Sequence, residues 1–113
     1  MKIKQKDLDK LNSYFERWRG SNVYFGQYIY TEDRLIIVFE RPENSRERIG
    51  ISFLQCRYIS GPTRWSDGNF ECQLHELPGA EVGFETRDTG GGFVLRCAGP
   101  IVVGDSEFII PFD

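Results

Sequence analysis

The sequence predicts an α+β, mainly β domain: one N-terminal amphipathic helix packed on a curved antiparallel sheet, or flattened barrel or sandwich, of six to eight strands. Three observations predict it. Apolar residues recur with helical spacing only over about residues 5–19. From about residue 22 to 112 the apolar pattern has a period of two. Brief turns join the strand-length runs, which implies antiparallel pairing, because a parallel pair needs a long crossover. The chain of 113 residues is read as a single domain, 1–113, large enough to bury its own core.

The helix comes first. Leu8, Leu11, Tyr14, Phe15 and Trp18 fall on one stripe, and Lys6, Asp9, Lys10, Ser13, Glu16 and Arg17 fall on the other. Asp7 suits the first turn, Arg17 and Arg19 complement the negative end of the helix dipole, and Gly20 is a natural stop. Such a stripe is expected to lie on a sheet.

In "VYFGQYIY" the apolar Val23, Phe25 and Ile29 alternate with Tyr24, Tyr28 and Tyr30, all β-favouring types. "TEDR" reads as a turn. "LIIVFE" is apolar on both faces, as a central strand with one face under the helix would be. "RPENSRER" reads as a loop, and "RIGISFLQCRYI" alternates again. The stretch "CRYISGPTRWSDGNFEC", from Cys56 to Cys72, reads as a long turn between two adjacent strands. In "NFECQLHEL" Phe70, Cys72 and Leu74 share one face, and Glu71, Gln73 and His75 share the other. Pro78-Gly79 is a turn that asks for a positive φ at the glycine. Val82, Phe84 and Thr86 point inward from the next strand, "DTGGG" turns the chain, and Phe93, Leu95 and Cys97 point inward again. "IVV" and "EFIIPF" close the sequence.

Charge narrows the partners. The net charge is −3, with both signs mixed along the chain, and Glu40, Glu43 and Glu47 interrupt the densest basic cluster, Arg41, Arg46 and Arg48. Nucleic acid is therefore not expected as a partner. No membrane is expected either, since no apolar run approaches the ~20 residues of a spanning helix. "MKIKQKDLDKL" lacks the pattern of a signal peptide, which points to the cytoplasm and to reduced thiols.

No metal, cofactor or catalytic residue is expected. The cysteines, Cys56, Cys72 and Cys97, are odd in number and lack the tight knuckle of a zinc site, so they read as small buried hydrophobes. "TGGGF" leads into a strand rather than a helix, and so reads as a hairpin turn rather than a phosphate loop. Glu81 and Glu85 read as residues of a solvated outer face.

Two functions suit this pattern. The first is a small cytosolic, noncatalytic protein-binding module of the immunity or another regulatory kind, with a protein partner or a second copy. Its contact surface would combine Trp65, Arg64 and Asp67 with Glu71, Glu81 and Glu85. The alternative is a small-molecule-binding or enzymatic β-barrel, its pocket lined by Tyr24, Tyr28 and Tyr30 and entered by His75.

Overall fold

A computed structural model describes residues 5–104 and 108–109. Helix α1 spans Gln5–Arg17, and the strands are β1 (Asn22–Ile29), β2 (Arg34–Arg41), β3 (Asn44–Phe53), β4 (Cys56–Ser60), β5 (Arg64–Trp65), β6 (Glu71–Leu77), β7 (Glu81–Asp88), β8 (Phe93–Cys97), β9 (Ile101–Val103) and β10 (Phe108–Ile109). The side chain of Asp7 and residues 110–113, which the sequence assigned to a helix cap and a strand end, lie outside the described residues.

The helix follows its apolar stripe. Leu8, Leu11 and Phe15 are buried, Tyr14 and Trp18 pack against the same core, and Gly20 takes the left-handed φ of +84° expected of a helix stop. The strands form two antiparallel sheets, ordered β10-β9-β3-β2-β1-β5 and β4-β8-β7-β6, which do not close into a barrel. Leu35, Ile37 and Phe39 face the core from β2, the strand between β1 and β3, and Phe84, Leu95 and Cys97 face it from the second sheet. Rings interlock the two layers: Phe25 meets Phe93 edge-on with centroids 5.9 Å apart, and Phe39 meets Phe70 at 4.8 Å. Phe15 brings the helix onto this seam, 6.1 Å from Phe39 and 5.5 Å from Phe70.

Three local expectations change. The polar run after Pro42 is not a loop. β3 begins at Asn44, and its exposed first half pairs with β2, Glu40 opposite Arg48 and Arg41 opposite Asn44. The strands bearing Cys56 and Cys72 are not neighbours, since β4 and β6 form opposite edges of the second sheet. The chain between them crosses to the first sheet, where β5 pairs with β1, Val23 opposite Trp65 and Tyr24 opposite Arg64. Gly68 holds the return, donating its N–H to the Ser21 carbonyl and accepting from the Gly20 N–H at 2.9 and 2.8 Å. The third change is that short β5 and β10 bring the strand count among the described residues to ten.

Candidate functional site

The tyrosine strand is the first place where packing redraws the sequence pattern. β1 carries a bulge at Gly26, so that Phe25 lies opposite Ile37 and Gln27 already opposite Ile36. One extra residue reverses the parity beyond it. Tyr24, opposite Val38, stays on the outer face, whereas Tyr28 lies opposite Leu35 on the other side of the sheet. Tyr30 leaves the strand in a short 3-10 turn and is 83% exposed. The tyrosines therefore do not share one wall, and His75 is in the other sheet.

A different surface emerges on the outer face of the first sheet. Register puts Tyr24, Gln27 and Ile29 of β1, Arg34, Ile36, Val38 and Glu40 of β2, Arg48, Gly50 and Ser52 of β3, and Val102 of β9 on that face. Both layers supplied by the described residues, the helix and the second sheet, pack on the opposite face. Ile29, Ile36, Val38 and Val102 all keep part of their surface open to solvent. Two glycines flank the aliphatic pair of β2 on this face. A Cβ at Gly26 would stand 2.8 Å from Val38 Cγ2, and one at Gly50 would stand 3.5 Å from Ile36 Cγ2. The two aliphatic side chains of β2 thus spread into room that glycine leaves on either flank.

Polar groups ring the patch. At one end the Tyr24 hydroxyl donates to Glu40 Oε2 at 3.3 Å, and Arg64 lies 5.5 Å from the Tyr24 ring centre. There an open groove of about 630 Å³ runs between Tyr24, Glu40, Arg64 and the edge of Trp65. At the other end Arg34 donates to Ser52 Oγ at 3.2 Å and to Glu32 at 3.4 Å. Its Nε is buried without a partner.

The loop residues singled out by the sequence divide between the core and the surface. Trp65 points inward, stacked on Phe93 at 5.1 Å and Phe70 at 5.7 Å, with its Nε1–H donated to Asp88 at 2.8 Å. The buried Asp88 also accepts the backbone N–H groups of Asn69 and Gly91 at 2.9 and 3.0 Å, so one carboxylate ties two loops together. A Cβ at Gly91 would sit 2.5 Å from Trp65 Nε1, which gives the glycine run of the β7–β8 turn a packing role. Arg64 and Asp67 are exposed, and Asp67 takes a left-handed φ of 57°.

Of the acidic residues, Glu71 and Glu81 are exposed, the latter 3.3 Å from Arg57. Glu85 is not on a solvated surface. It is 2% exposed on the outer side of the second sheet, beneath the guanidinium groups of Arg87 and Arg96. Arg96 Nε donates to it at 2.9 Å, Gln73 donates at 3.3 Å, and His75 Nδ1 lies 3.7 Å away. Burial alone would raise the Glu85 carboxyl, but the hydrogen bonds from Arg96 and Arg87 outweigh it and hold the group below its ordinary 4.5. The pairing of Gln73 and Arg96 with position 85 follows from register, since they flank it on β6 and β8. Alternation alone identified the face but not the strands beside it.

The cysteines are buried thiols. Burial pushes Cys56 up to about 11 and Cys72 up to about 12, and drives Cys97 well above its usual value. Cys56 lies directly opposite Cys97 in the β4–β8 ladder, a neighbour the sequence did not reveal. Among the described residues, no group of three or more His, Cys, Asp or Glu side chains is placed to hold a metal ion, and no helix is long and apolar enough to cross a membrane. No protein-family model, curated protein or solved structure matches the chain.

Proposed function

We propose that this chain is a noncatalytic protein-binding module whose contact surface is the outer face of the first sheet. The observation that carries this reading is the pair Ile36 and Val38, set on the outer face of an inner strand, partly exposed and left open by both packed layers. A strand apolar on both sides normally has cover on both sides. An aliphatic centre with Tyr24, Arg34, Glu40, Arg48 and Arg64 around it also has the usual anatomy of a protein interface, a dry middle inside a polar rim.

The surface first expected, Trp65 with Glu71, Glu81 and Glu85, supports the reading less well. Trp65 and Glu85 spend their polar atoms inside the fold, on Asp88 and on the arginines respectively. A tyrosine-lined ligand pocket has less support still, because the bulge at Gly26 separates its walls.

Affinity capture from a native lysate tests the proposal with Ile36→Lys, wild type and a control, Leu74→Lys, at an exposed apolar residue of the other sheet. Ile36→Lys is expected to lose a stoichiometric partner that Leu74→Lys retains. Equal capture by all three proteins would remove this face from the proposal.

A further inference from the structure

We infer that the partner seated on this face is a second copy of the chain, stacked sheet to sheet about a twofold axis that crosses the strands between Ile36 and Val38. The inference rests on reading the face as an interface, and the pattern along β2 carries it further. The outward residues of β2 run Arg34, Ile36, Val38, Glu40, a cation at one end, an anion at the other and two aliphatics between. Rotation about an in-plane axis at the level of Ile37 reverses the direction of the facing strand. Arg34 then stands over Glu40 of the second copy, Glu40 over its Arg34, and Val38 over its Ile36.

The row is thus self-complementary in charge and in apolar character, as an isologous contact demands. The ionic ends are roughly 20 Å apart along the strand, so both pairs fit at once at the margins of one patch. The neighbouring strand agrees. The same rotation sets Gly50 over Ser52, two small residues, and carries the exposed Arg48 past Phe53, the end of the facing β3. The absence of side chains at Gly26 and Gly50 lets a second sheet approach to the usual spacing of about 10 Å. The Arg34 side chain is 30% exposed, and its outer guanidinium nitrogens, held by Ser52 and Glu32 at 3.2 and 3.4 Å, carry further N–H groups toward the face. A net charge of −3 per copy opposes association only weakly at physiological salt.

Sedimentation equilibrium with Glu40→Arg and Arg34→Glu tests the geometry, with circular dichroism confirming that each variant folds. Wild type is expected to dimerise reversibly. Each variant alone places like charges together at both ends and weakens the dimer by about 100-fold. Mixing the two variants restores a dimer of wild-type strength, because every end contact is then Arg against Glu. That recovery cannot come from a folding defect.

Should a reversal unfold the chain, Glu40→Gln and Arg34→Gln carry the comparison, each weakening the dimer about tenfold. A wild type that stays monomeric to about 1 mM overturns the inference, as does a mixture that associates no better than its components. In either case Ile36→Lys still decides separately whether the face receives a different protein.

Discussion

Glu85 and Gly91 show how much single residues carry here. Glu85 brings together arginines from β7 and β8, and the Arg87 and Arg96 side chains are each 37% exposed, which lets water share their charge. Replacing Glu85 with Gln is therefore expected to cost about 2 kcal/mol at neutral pH, less than breaking a fully desolvated pair. The pH dependence has a definite sign. A carboxyl held below its ordinary 4.5 in the folded state contributes stability above that value, and loses it as the pH falls through the lower folded value. Thermal melts of wild type and Glu85→Gln should draw together as the pH falls from 7 through 4.5 and past the lower folded value. A gap that persists undiminished into acid would mean that ionisation of Glu85 is not what stabilises the fold. Gly91 is constrained by the indole beneath it, 2.5 Å from where a Cβ would stand. Gly91→Ala should cost about 2 kcal/mol by urea unfolding, and Gly91→Ala combined with Trp65→Phe should cost clearly less than the two single costs added. Strict additivity would show that the added methyl does not meet the indole.

The elements are held by edges as much as by faces. β6 is an edge strand, yet Asn12 of α1 occupies part of that edge. Its carboxamide donates to the Cys72 carbonyl at 3.0 Å and accepts the Cys72 N–H at 2.9 Å, which are the two bonds an added strand would make. Asn12→Leu should lower stability by about 1–2 kcal/mol and speed hydrogen exchange at the Cys72 amide. Unchanged exchange at that amide would refute this bracing role. Nothing in the sequence marked Asn12, because it sits 60 residues from its partner on what reads as the polar side of the helix. The helix was legible apart from its last two expected residues, Trp18 and Arg19, which lie in the turn after Arg17, since its apolar stripe of Leu8, Leu11 and Phe15 and its stop at Gly20 are local signals. Most strands were legible for the same reason. Illegible were the bulge at Gly26, the crossing of residues 61–70 to the other sheet and the order of the strands. Each is decided by backbone partners distant in sequence, which a periodic pattern does not encode. The candidate face was half legible: "LIIVFE" announced two apolar sides, but only the packed layers show which side stays open.

At the scale of the whole molecule the two outer faces are unlike. One is cross-braced by Glu85, Arg87, Arg96 and Gln73 and keeps its charges occupied internally. The other is aliphatic at its centre and charged at its ends. Between them lies the shared core, and all three thiols look into it from the second sheet. This arrangement makes the cysteines reporters of how the sandwich opens. Burial raises Cys56 to about 11 and Cys72 to about 12, with Cys97 also driven upward, so hardly any thiolate exists at neutral pH while the sheets are packed. An aromatic disulfide reagent should therefore find no fast site in the native protein. All three cysteines should react in one kinetic phase whose rate follows separation of the two sheets and rises with urea in step with global unfolding. Peptide mapping after partial reaction should recover Cys56, Cys72 and Cys97 modified to similar extents. Cys56 is the sharpest check, because it lies at the start of an edge strand and keeps 8% of its surface. If it reacts well before the other two, β4 peels from β8 on its own and the second sheet does not open as a unit.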